Sequence, residues 1–258
     1  MTRQATFVKS GPGAVAEAAG LRWIAVPGGP PVPRVLEVTD NRLVIERIPE
    51  GRPSERAAAE LGRRLVVLHS AGAPAFGSPP PGGPVDAWIG NARMRNVEGS
   101  DWAPWYAEHR VLPYLREARD TGVLTAAESS VVERACEQLD RVAGPPEPPA
   151  RLHGDLWSGN VVWAPDGAWL IDPAAHGGHR ETDLAMLALF GCPHLPTILA
   201  AYEEAARASG APLAPGWRDR VPMHQLFPLL VHVVLFGRGY AGQAVAAARA
   251  VLRLAGSA

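Results

Sequence analysis

The residue types best suited to chemistry lie in one short segment of the chain. Residues 153–160 are His-Gly-Asp-Leu-Trp-Ser-Gly-Asn, and Asp172 follows twelve residues later within Ile-Asp-Pro. Phosphoryl transfer needs a carboxylate that orients an acceptor hydroxyl and takes its proton, and oxygen ligands for the metal ion that bridges nucleotide phosphates. Asp155 suits the first role, and Asn160 and Asp172 suit the second. The spacing therefore predicts a kinase active site.

A predicted β-hairpin connects the two parts of this site. Residues 161–163 and 168–171 are short apolar runs, and Ala-Pro-Asp-Gly at 164–167 is a typical turn between them. The hairpin would return Asp172 to the side of Asn160. Each polar residue also has a common structural explanation, since Asp and Asn cap helices and open turns. The set as a whole favours the catalytic interpretation.

Lys9 is the only lysine among the 25 lysine and arginine residues of the chain. Its presence predicts a position that needs a compact ammonium group, such as one that binds nucleotide phosphates. Glu17 follows in the helical stretch 14–21 and could pair with it. The alternative is an exposed lysine near the terminus and a solvated glutamate on a helix.

Together these segments resemble the fructosamine (ketoamine) kinases, relatives of the aminoglycoside and choline kinases in the protein-kinase-like superfamily. The resemblance covers nearly the whole chain, and its most specific parts are the segments 152–160, 171–173, 180–186 and 189–191. It implies an α+β, two-lobed kinase-like fold with a small β-rich N-terminal lobe and a large, mainly helical C-terminal lobe. It also implies ATP and Mg²⁺ as cofactors.

The resemblance agrees with the roles expected from the residues. Asp155 would be the catalytic residue, Asn160 and Asp172 the metal ligands, and Lys9 with Glu17 the ion pair that binds the nucleotide phosphates.

Further residues are expected to support the nucleotide and the loop. The segment 43–51 begins as a buried strand and ends in breakers, as an interlobe hinge does, so backbone groups of Glu46 and Ile48 could hydrogen-bond an adenine edge. An ordinary strand and turn is the alternative. His153 would brace the catalytic loop. Asp183 would hold that loop through its backbone, cap a helix, or do both.

Two residues are candidates for contact with the acceptor. Trp157 could stack on a sugar face, or it could simply be packed in its loop. His179 stands where the family often has Asp, so it could alter the acceptor pocket. His176 and His179 have the spacing of a metal pair, but without cysteine or glutamate companions a zinc site is not predicted.

The activity that the resemblance implies is ATP-dependent phosphorylation of a sugar hydroxyl on small-molecule or protein-bound ketoamines, after which the unstable product releases its amine. Another small-molecule hydroxyl kinase, of the aminoglycoside or choline type, is one alternative. A non-catalytic nucleotide-binding remnant is another, because family members carry a glycine-rich hairpin before the lysine strand and only eight residues precede Lys9. We therefore expect a truncated nucleotide-binding lobe at 1–48 and a catalytic and acceptor-binding lobe at 49–258.

The composition excludes several other classes of protein. The chain has 258 residues, is 47% hydrophobic and has a net charge of −1, a balance that argues against binding to nucleic acid. Its longest apolar run, 226–237, is too short to span a bilayer, and no signal peptide is recognised. Two cysteines make no disulfide framework, so a cytoplasmic location is expected. Nothing in the sequence indicates an oligomeric state.

Helical periodicity and breakers predict the elements that would position the site. Helices are predicted over 54–71, 101–119, 126–142, 182–190, 197–209, 218–237 and 241–255. Thr125 and Glu128 form a capping box at the start of one of them. Residues 1–46 are expected to form short strands with one helix. The proline-rich segments 79–84 and 144–149 are predicted to be surface loops.

Overall fold

The computed structural model describes residues 5–257, and its N-terminal part is a small antiparallel sheet with one helix. The strands β1, β2 and β3 are Thr6–Ser10, Val35–Thr39 and Arg42–Glu46. They lie in the order β1–β3–β2. Helix α1, Ala14–Ile24, packs on this sheet through a cluster that includes the buried side chains of Leu21, Leu43 and Ile45. Short strands with one helix are what the sequence predicted here.

The remainder of the described chain is mainly helical. The helices α2 to α10 are Glu55–Ser70, Trp102–Tyr106, Leu112–Asp120, Ala126–Cys136, Leu139–Val142, Arg180–Leu187, Leu195–Ala208, Trp217–Phe236 and Ala241–Ser257. The strands β4 to β9 are Asp86–Ile89, Ala92–Arg95, Ala150–Leu152, Val161–Ala164, Gly167–Leu170 and His176–Gly178. They pair antiparallel as β4–β5, β6–β9 and β7–β8. The α+β class is therefore confirmed, and a division of the chain at residue 48 stays a prediction.

Two large apolar cores support the helical part. One joins α3, α4 and α5 to α9 and α10, and the other joins α2 and α8 to the β7–β8 hairpin. Leu156, in the middle of the predicted catalytic segment, is fully buried in the second core. None of the helices within residues 5–257 has the length and apolar character that crossing a membrane would require.

The helix predicted over 101–119 is interrupted by one wider turn. Between α3 and α4 the backbone forms a π-helical turn, Ala107–Val111. Pro113 has no N–H to donate to the carbonyl of His109, four residues earlier, and Arg110 Nη1 donates to that carbonyl instead, at 3.1 Å. The proline is visible in the sequence, but the side chain that compensates for it is not.

Helix α9 continues through a proline, as the sequence predicted. Pro228 leaves the carbonyl of His224 without its intrahelical donor. The buried hydroxyl of Tyr106 donates to this carbonyl at 3.0 Å and accepts a hydrogen bond from the N–H of Phe227 at 3.2 Å. A tertiary contact from α3 thus allows α9 to extend to Phe236.

Helices α2 and α8 are in close contact at Gly62. A Cβ at this position would lie 2.2 Å from the carbonyl oxygen of Ile198 and 3.1 Å from the Cβ of Ala201. Near this contact, His69 of α2 and Tyr202 of α8 form a buried hydrogen bond of 2.8 Å between Nδ1 and the hydroxyl. The close packing of the two helices therefore also fixes the ring of His69.

Gly62→Ala should lower the free energy of unfolding by about 2 kcal/mol. The added methyl group overpacks the contact with α8, and this cost is larger than the stability gained from the higher helix propensity of alanine. Urea unfolding monitored by circular dichroism measures this change. Gly242→Ala in α10 is the matched control, since a Cβ there meets nothing within 4 Å. It should be neutral or slightly stabilising. A Gly62→Ala variant as stable as the parent would contradict the packing.

Candidate active site

Two glycines shape the predicted catalytic loop between β6 and β7. Gly154 has a φ of +81°, and a Cβ there would lie 2.1 Å from the carbonyl oxygen of Ala174. Only glycine permits both the conformation and this approach. Gly159 lies against the ring of Trp157, where a Cβ would be 2.2 Å from Cη2. The loop is thereby pressed against the segment after β8, and the Trp157 ring is packed on its backbone.

The carboxylate of Asp183 holds this loop by its backbone. It is fully buried and accepts hydrogen bonds from the N–H of His153 at 2.8 Å and of Gly154 at 3.0 Å. His69 Nε2 lies 3.2 Å from it. Burial works to raise the pKa of Asp183, but the bonds from His69 and Gly154 outweigh it and lower the pKa. The N-cap of α7 is His179, so Asp183 does not cap this helix.

His153 connects the two halves of the site. Its Nδ1 accepts a hydrogen bond from the N–H of Asp155 at 3.3 Å, and its Nε2 donates to the carbonyl of Ile171 at 2.9 Å. Burial lowers the pKa of His153, so the ring is neutral, with the one acceptor and one donor that this pattern requires. These contacts support the bracing role expected for His153.

Asp155 and Asn160 are held together at the cavity. Asn160 Nδ2 donates to Asp155 Oδ2 at 3.0 Å and to the Asp155 carbonyl at 2.7 Å. Burial raises the pKa of Asp155 from its ordinary value of 3.8 to about 7; the bond from Asn160 opposes this shift, and the negative charge of Asp172 adds to it. The carboxyl group can therefore exchange a proton near neutral pH.

The β7–β8 hairpin returns the chain to Asn160, as predicted. Val161 pairs with Leu170, and the N–H of Ile171 donates to the carbonyl of Asn160 at 3.0 Å. Asp172 follows directly, with a φ of +56°. Such left-handed conformations are uncommon for residues other than glycine and concentrate at functional sites. The unusual backbone directs Asp172 into the cavity that Asn160 lines.

Lys9 joins the N-terminal sheet to this site. Its Nζ lies 2.7 Å from Glu17 Oε1 on α1, and it also forms an ion pair with Asp172. Burial raises the pKa of Glu17, and the positive charge of Lys9 opposes that shift. Lys9 and Glu17 are therefore a partly buried pair, rather than the two solvated side chains that the sequence left open.

One cavity of about 570 Å³ is lined by six of the predicted site residues: Lys9, Glu17, Asp155, Trp157, Asn160 and Asp172. Its charged side chains are Lys9, Glu17, Asp155 and Asp172, with the amide of Asn160 beside them. The remainder of the wall includes Trp88, Trp157, Val231, His232, Leu235 and Phe236. Trp157 has its ring edge-on to Phe190 at 6.1 Å, and its contact with an acceptor stays a prediction. Trp88 and the end of α9 were not predicted as site residues, because only the tertiary fold brings them here.

A second cavity, of about 210 Å³, adjoins the first and shares Lys9 and Asp172 with it. Its wall includes the predicted hinge residues Glu46 and Ile48. The N–H of Glu46 already donates to the carbonyl of Arg34 at 3.0 Å. The N–H of Glu46 is therefore not available to a ligand. The N–H of Ile48 has no hydrogen-bond partner within residues 5–257.

His179 was predicted to contact the acceptor, but it lines neither of these two cavities. Its side chain is buried, its ring packs against Trp102 and His224, and its Nδ1 accepts a hydrogen bond from the N–H of Glu181 at the start of α7. The expected contact of His179 with an acceptor is not formed from this position. Helix capping and aromatic packing explain the residue instead.

A buried polar network behind α7 was missed by the sequence analysis. Arg220 donates to both carboxylate oxygens of Glu181, at 3.0 and 2.6 Å, and His224 Nε2 lies 3.3 Å from the same group. Burial works to raise the pKa of Glu181, but the bonds from His224 and Arg220 hold it at about 2. His179, Glu181 and His224 are close enough to share a metal ion. Because Arg220 occupies both carboxylate oxygens, a structural ion pair is the better interpretation.

Comparison with known proteins identifies the family to which this chain is similar. Residues 7–254 match the family model of fructosamine kinases. The chain is 34% identical over 203 residues to an Enterococcus faecium protein assigned as a ketoamine kinase, covering 78% of this chain and 68% of that protein.

Solved structures show the same relationship. One from Thermobifida fusca, assigned as a fructosamine-3-kinase, superimposes with a TM-score of 0.89 at 49% identity, covering 97% of this chain and 86% of that chain. The fold extends to a mutant aminoglycoside phosphotransferase solved with AMP-PNP and hygromycin B. That structure has a TM-score of 0.59 at 17% identity and covers 95% of this chain and 85% of that chain.

The raised pKa of Asp155 predicts a pH dependence of stability. At pH values between 3.8, the ordinary pKa of the group, and about 7, the folded chain keeps a proton on Asp155 that the unfolded chain has lost. Asp155 therefore destabilises the fold increasingly as the pH rises through this range. Asp155→Asn should raise the free energy of unfolding by about 2 kcal/mol at pH ~8, and change it little at pH ~4.

Urea unfolding of the parent and variant at both pH values measures this difference. Asp40→Asn is the control, because Asp40 is exposed in the turn between β2 and β3. It should leave stability unchanged at both pH values. A change of equal size at both pH values for Asp155→Asn would show that proton binding is not its cause.

Proposed function

This chain belongs to the fructosamine kinase family, and from that premise we propose that it phosphorylates a sugar hydroxyl of ketoamines with ATP as the donor. The observation that carries the proposal is the placement of Asp155, Asn160 and Asp172 around one cavity beside the Lys9–Glu17 pair. Phosphoryl transfer depends mostly on positioning and on neutralising phosphate charge. The residues of this cavity are suited to both tasks.

The smaller cavity supports binding of the adenine of ATP. Its wall includes the apolar side chains of Ile45, Val162 and Ile171, which suit the faces of a purine ring. The N–H of Ile48 is available to donate a hydrogen bond to the ring edge. Because Lys9 lines both cavities, the nucleotide phosphates would extend past its ammonium group into the larger cavity.

Asn160 and Asp172 fit a magnesium ion, which prefers oxygen ligands and takes few of them from the protein. The two bonds from Asn160 Nδ2 to Asp155 orient the amide, and its oxygen has no hydrogen-bond partner within the described chain. Asp172 adds a partly exposed carboxylate beside it. These residues would hold the ion, which when bound neutralises charge on the phosphates of the nucleotide.

Asp155 would orient the acceptor hydroxyl and take its proton. Asn160 holds one of its carboxylate oxygens, and the other has no hydrogen-bond partner within residues 5–257. A pKa near 7 matches a general base that works at neutral pH. The hydroxyl oxygen bonds to the γ-phosphorus, the bond from that phosphorus to the bridging oxygen breaks, and ADP leaves.

The two alternatives raised by the sequence are less well supported. Aminoglycoside phosphotransferases share the fold at 17% identity, whereas a relative at 34% identity is assigned as a ketoamine kinase. A non-catalytic remnant has no need for a carboxylate braced by a neutral histidine or for a partly buried Lys9–Glu17 pair. These groups, each held in place by a neighbouring side chain, favour a catalytic function.

On this proposal the phosphorylated ketoamine would release its amine, as the family resemblance implies, so the reaction would reverse glycation. The sugar, the amine and the cytoplasmic location of the protein stay predictions.

Incubation with ATP, Mg²⁺ and fructoselysine or ribuloselysine should give an acceptor heavier by one phosphoryl group. Asp155→Asn should reduce kcat at least about 10²-fold, because it removes the base. ATP binding should be nearly unchanged, because Asn160 and Asp172 remain. Mass spectrometry of the acceptor and calorimetry with ATP measure the two effects.

Asp40→Asn serves as the control and should keep full activity. Comparable turnover by Asp155→Asn would contradict the role given to Asp155. Transfer to an aminoglycoside or to choline, with none to either ketoamine, would contradict the proposed substrate class while leaving the kinase chemistry intact.

Asp172→Ala should weaken ATP binding roughly tenfold or more in the presence of Mg²⁺. Without Mg²⁺, binding should be unchanged or slightly tighter, because the substitution releases Lys9 from its ion pair with Asp172. Calorimetry with and without Mg²⁺ separates the two cases, with Asp40→Ala as the control. Equal weakening under both conditions would show that Asp172 does not act through the metal ion.

A further inference from the structure

The cavity that contains Asp155 has two chemically different parts. Its carboxylates within the described chain are those of Glu17, Asp155 and Asp172, which are grouped around Lys9 and Asn160. The other part, which we name the aromatic end, consists of the side chains of Trp88, Trp157, His232, Leu235 and Phe236. No carboxylate of residues 5–257 lines the aromatic end.

His232 is the ionisable side chain of the aromatic end. Its Nδ1 donates to the carbonyl of Pro228 at 2.7 Å, so in the neutral ring Nε2 is an acceptor. Burial lowers the pKa of His232, which favours the neutral form. Nε2 has no hydrogen-bond partner within the described chain. The rings of Phe190, at 4.6 Å, and Tyr240, at 5.1 Å, hold the imidazole in place.

Phe236 and Trp88 present apolar surface next to this acceptor. Phe236 is 64% exposed at the end of α9, and its ring centre is 5.4 Å from that of His232. A large apolar side chain so exposed at a cavity rim is suited to covering a ligand. The last turn of a helix also carries partial negative charge, which favours a cation nearby. The aromatic end therefore combines apolar faces, one acceptor and a weakly negative field.

We propose that the aromatic end binds the amine half of the ketoamine, so that the protein selects adducts of amines with apolar substituents over adducts whose amine carries a carboxylate. This inference rests on the proposed function. The amine nitrogen of a ketoamine is an N–H donor and, when protonated, a cation. His232 Nε2 accepts its hydrogen bond, and the rings of Trp88 and Phe236 cover its apolar substituent.

A carboxylate on the amine would find no cationic side chain at the aromatic end, whose indole N–H groups are neutral donors. One cation beside the aromatic end is Arg93, whose guanidinium lies 5.1 Å from the centre of the Trp88 ring. Lys9 lines the other part of the cavity and is paired with Glu17 and Asp172. Arg93 is exposed and does not line the cavity. Its solvated charge should attract a carboxylate only weakly.

The test compares kcat/KM for the fructose adducts of benzylamine, butylamine and γ-aminobutyrate with saturating ATP. The kcat/KM values for the benzylamine and butylamine adducts should be about tenfold higher than the value for the γ-aminobutyrate adduct. Tenfold is the lower end of the discrimination that an apolar pocket provides. Phe236→Ala should raise KM for the benzylamine adduct about tenfold, with little change in kcat. The same variant should change KM for the γ-aminobutyrate adduct little. His232→Asn keeps a donor for the Pro228 carbonyl but loses Nε2, so it should raise KM for all three adducts and leave KM for ATP unchanged.

Val67→Ala is the control, because Val67 is a half-exposed apolar side chain of α2 that lines neither this cavity nor its neighbour. It should leave every constant unchanged. Equal kcat/KM for the three adducts would overturn the inference while leaving the kinase function intact. Preference for the γ-aminobutyrate adduct would also overturn it.

Calorimetry of the same adducts with the parent chain, without ATP, separates the inference from the proposed function. If no phosphate is transferred but the benzylamine adduct binds about tenfold more tightly than the γ-aminobutyrate adduct, the subsite stands and the proposed reaction does not. If the adducts bind equally, the subsite is overturned whatever the result of the transfer assay.

Discussion

A carboxylate buried away from water costs several kcal/mol unless donors surround it, and Asp183 meets that condition largely through the catalytic loop. Two of its donors are the backbone N–H groups of His153 and Gly154, and the third partner is the ring of His69. Moving the loop would remove two of these three partners from a charge in the protein interior. The loop is therefore as fixed as the core around it, and the position of Asp155 follows from that constraint.

The same region shows how a site with several acidic groups stays folded. The negative charges of Asp172 and Asp183 both act to raise the pKa of Asp155, after burial itself. Lys9 offsets part of this repulsion through its ion pairs with Glu17 and Asp172. A nucleotide that engages Lys9 would replace protein carboxylates by phosphates as its partners. The stability of the site and its ability to bind a phosphate ligand thus depend on one ammonium group.

Side chains from other segments stabilise the helices at positions where a proline removes a backbone hydrogen bond. Pro113 and Pro228 each free a carbonyl, and Arg110 and Tyr106 donate to those carbonyls. Helix α9 can then reach the cavity and place His232 and Phe236 at its wall. The helices themselves were predictable because apolar periodicity is local. The wider turn over Ala107–Val111 was not, because it depends on how a neighbouring side chain meets an unpaired carbonyl.

The sequence by itself determined the elements and the chemistry of the central motif, because short spacings such as Asp155 to Asn160 fix which groups a loop and hairpin can bring together. Only the tertiary structure decided which distant residues meet them. It paired Arg220 with Glu181, 39 residues apart, and His69 with Asp183, 114 residues apart, and it moved His179 from an expected acceptor contact to a buried helix cap. These contacts depend on the packing of whole helices, and a linear pattern contains no information on which helix faces will meet.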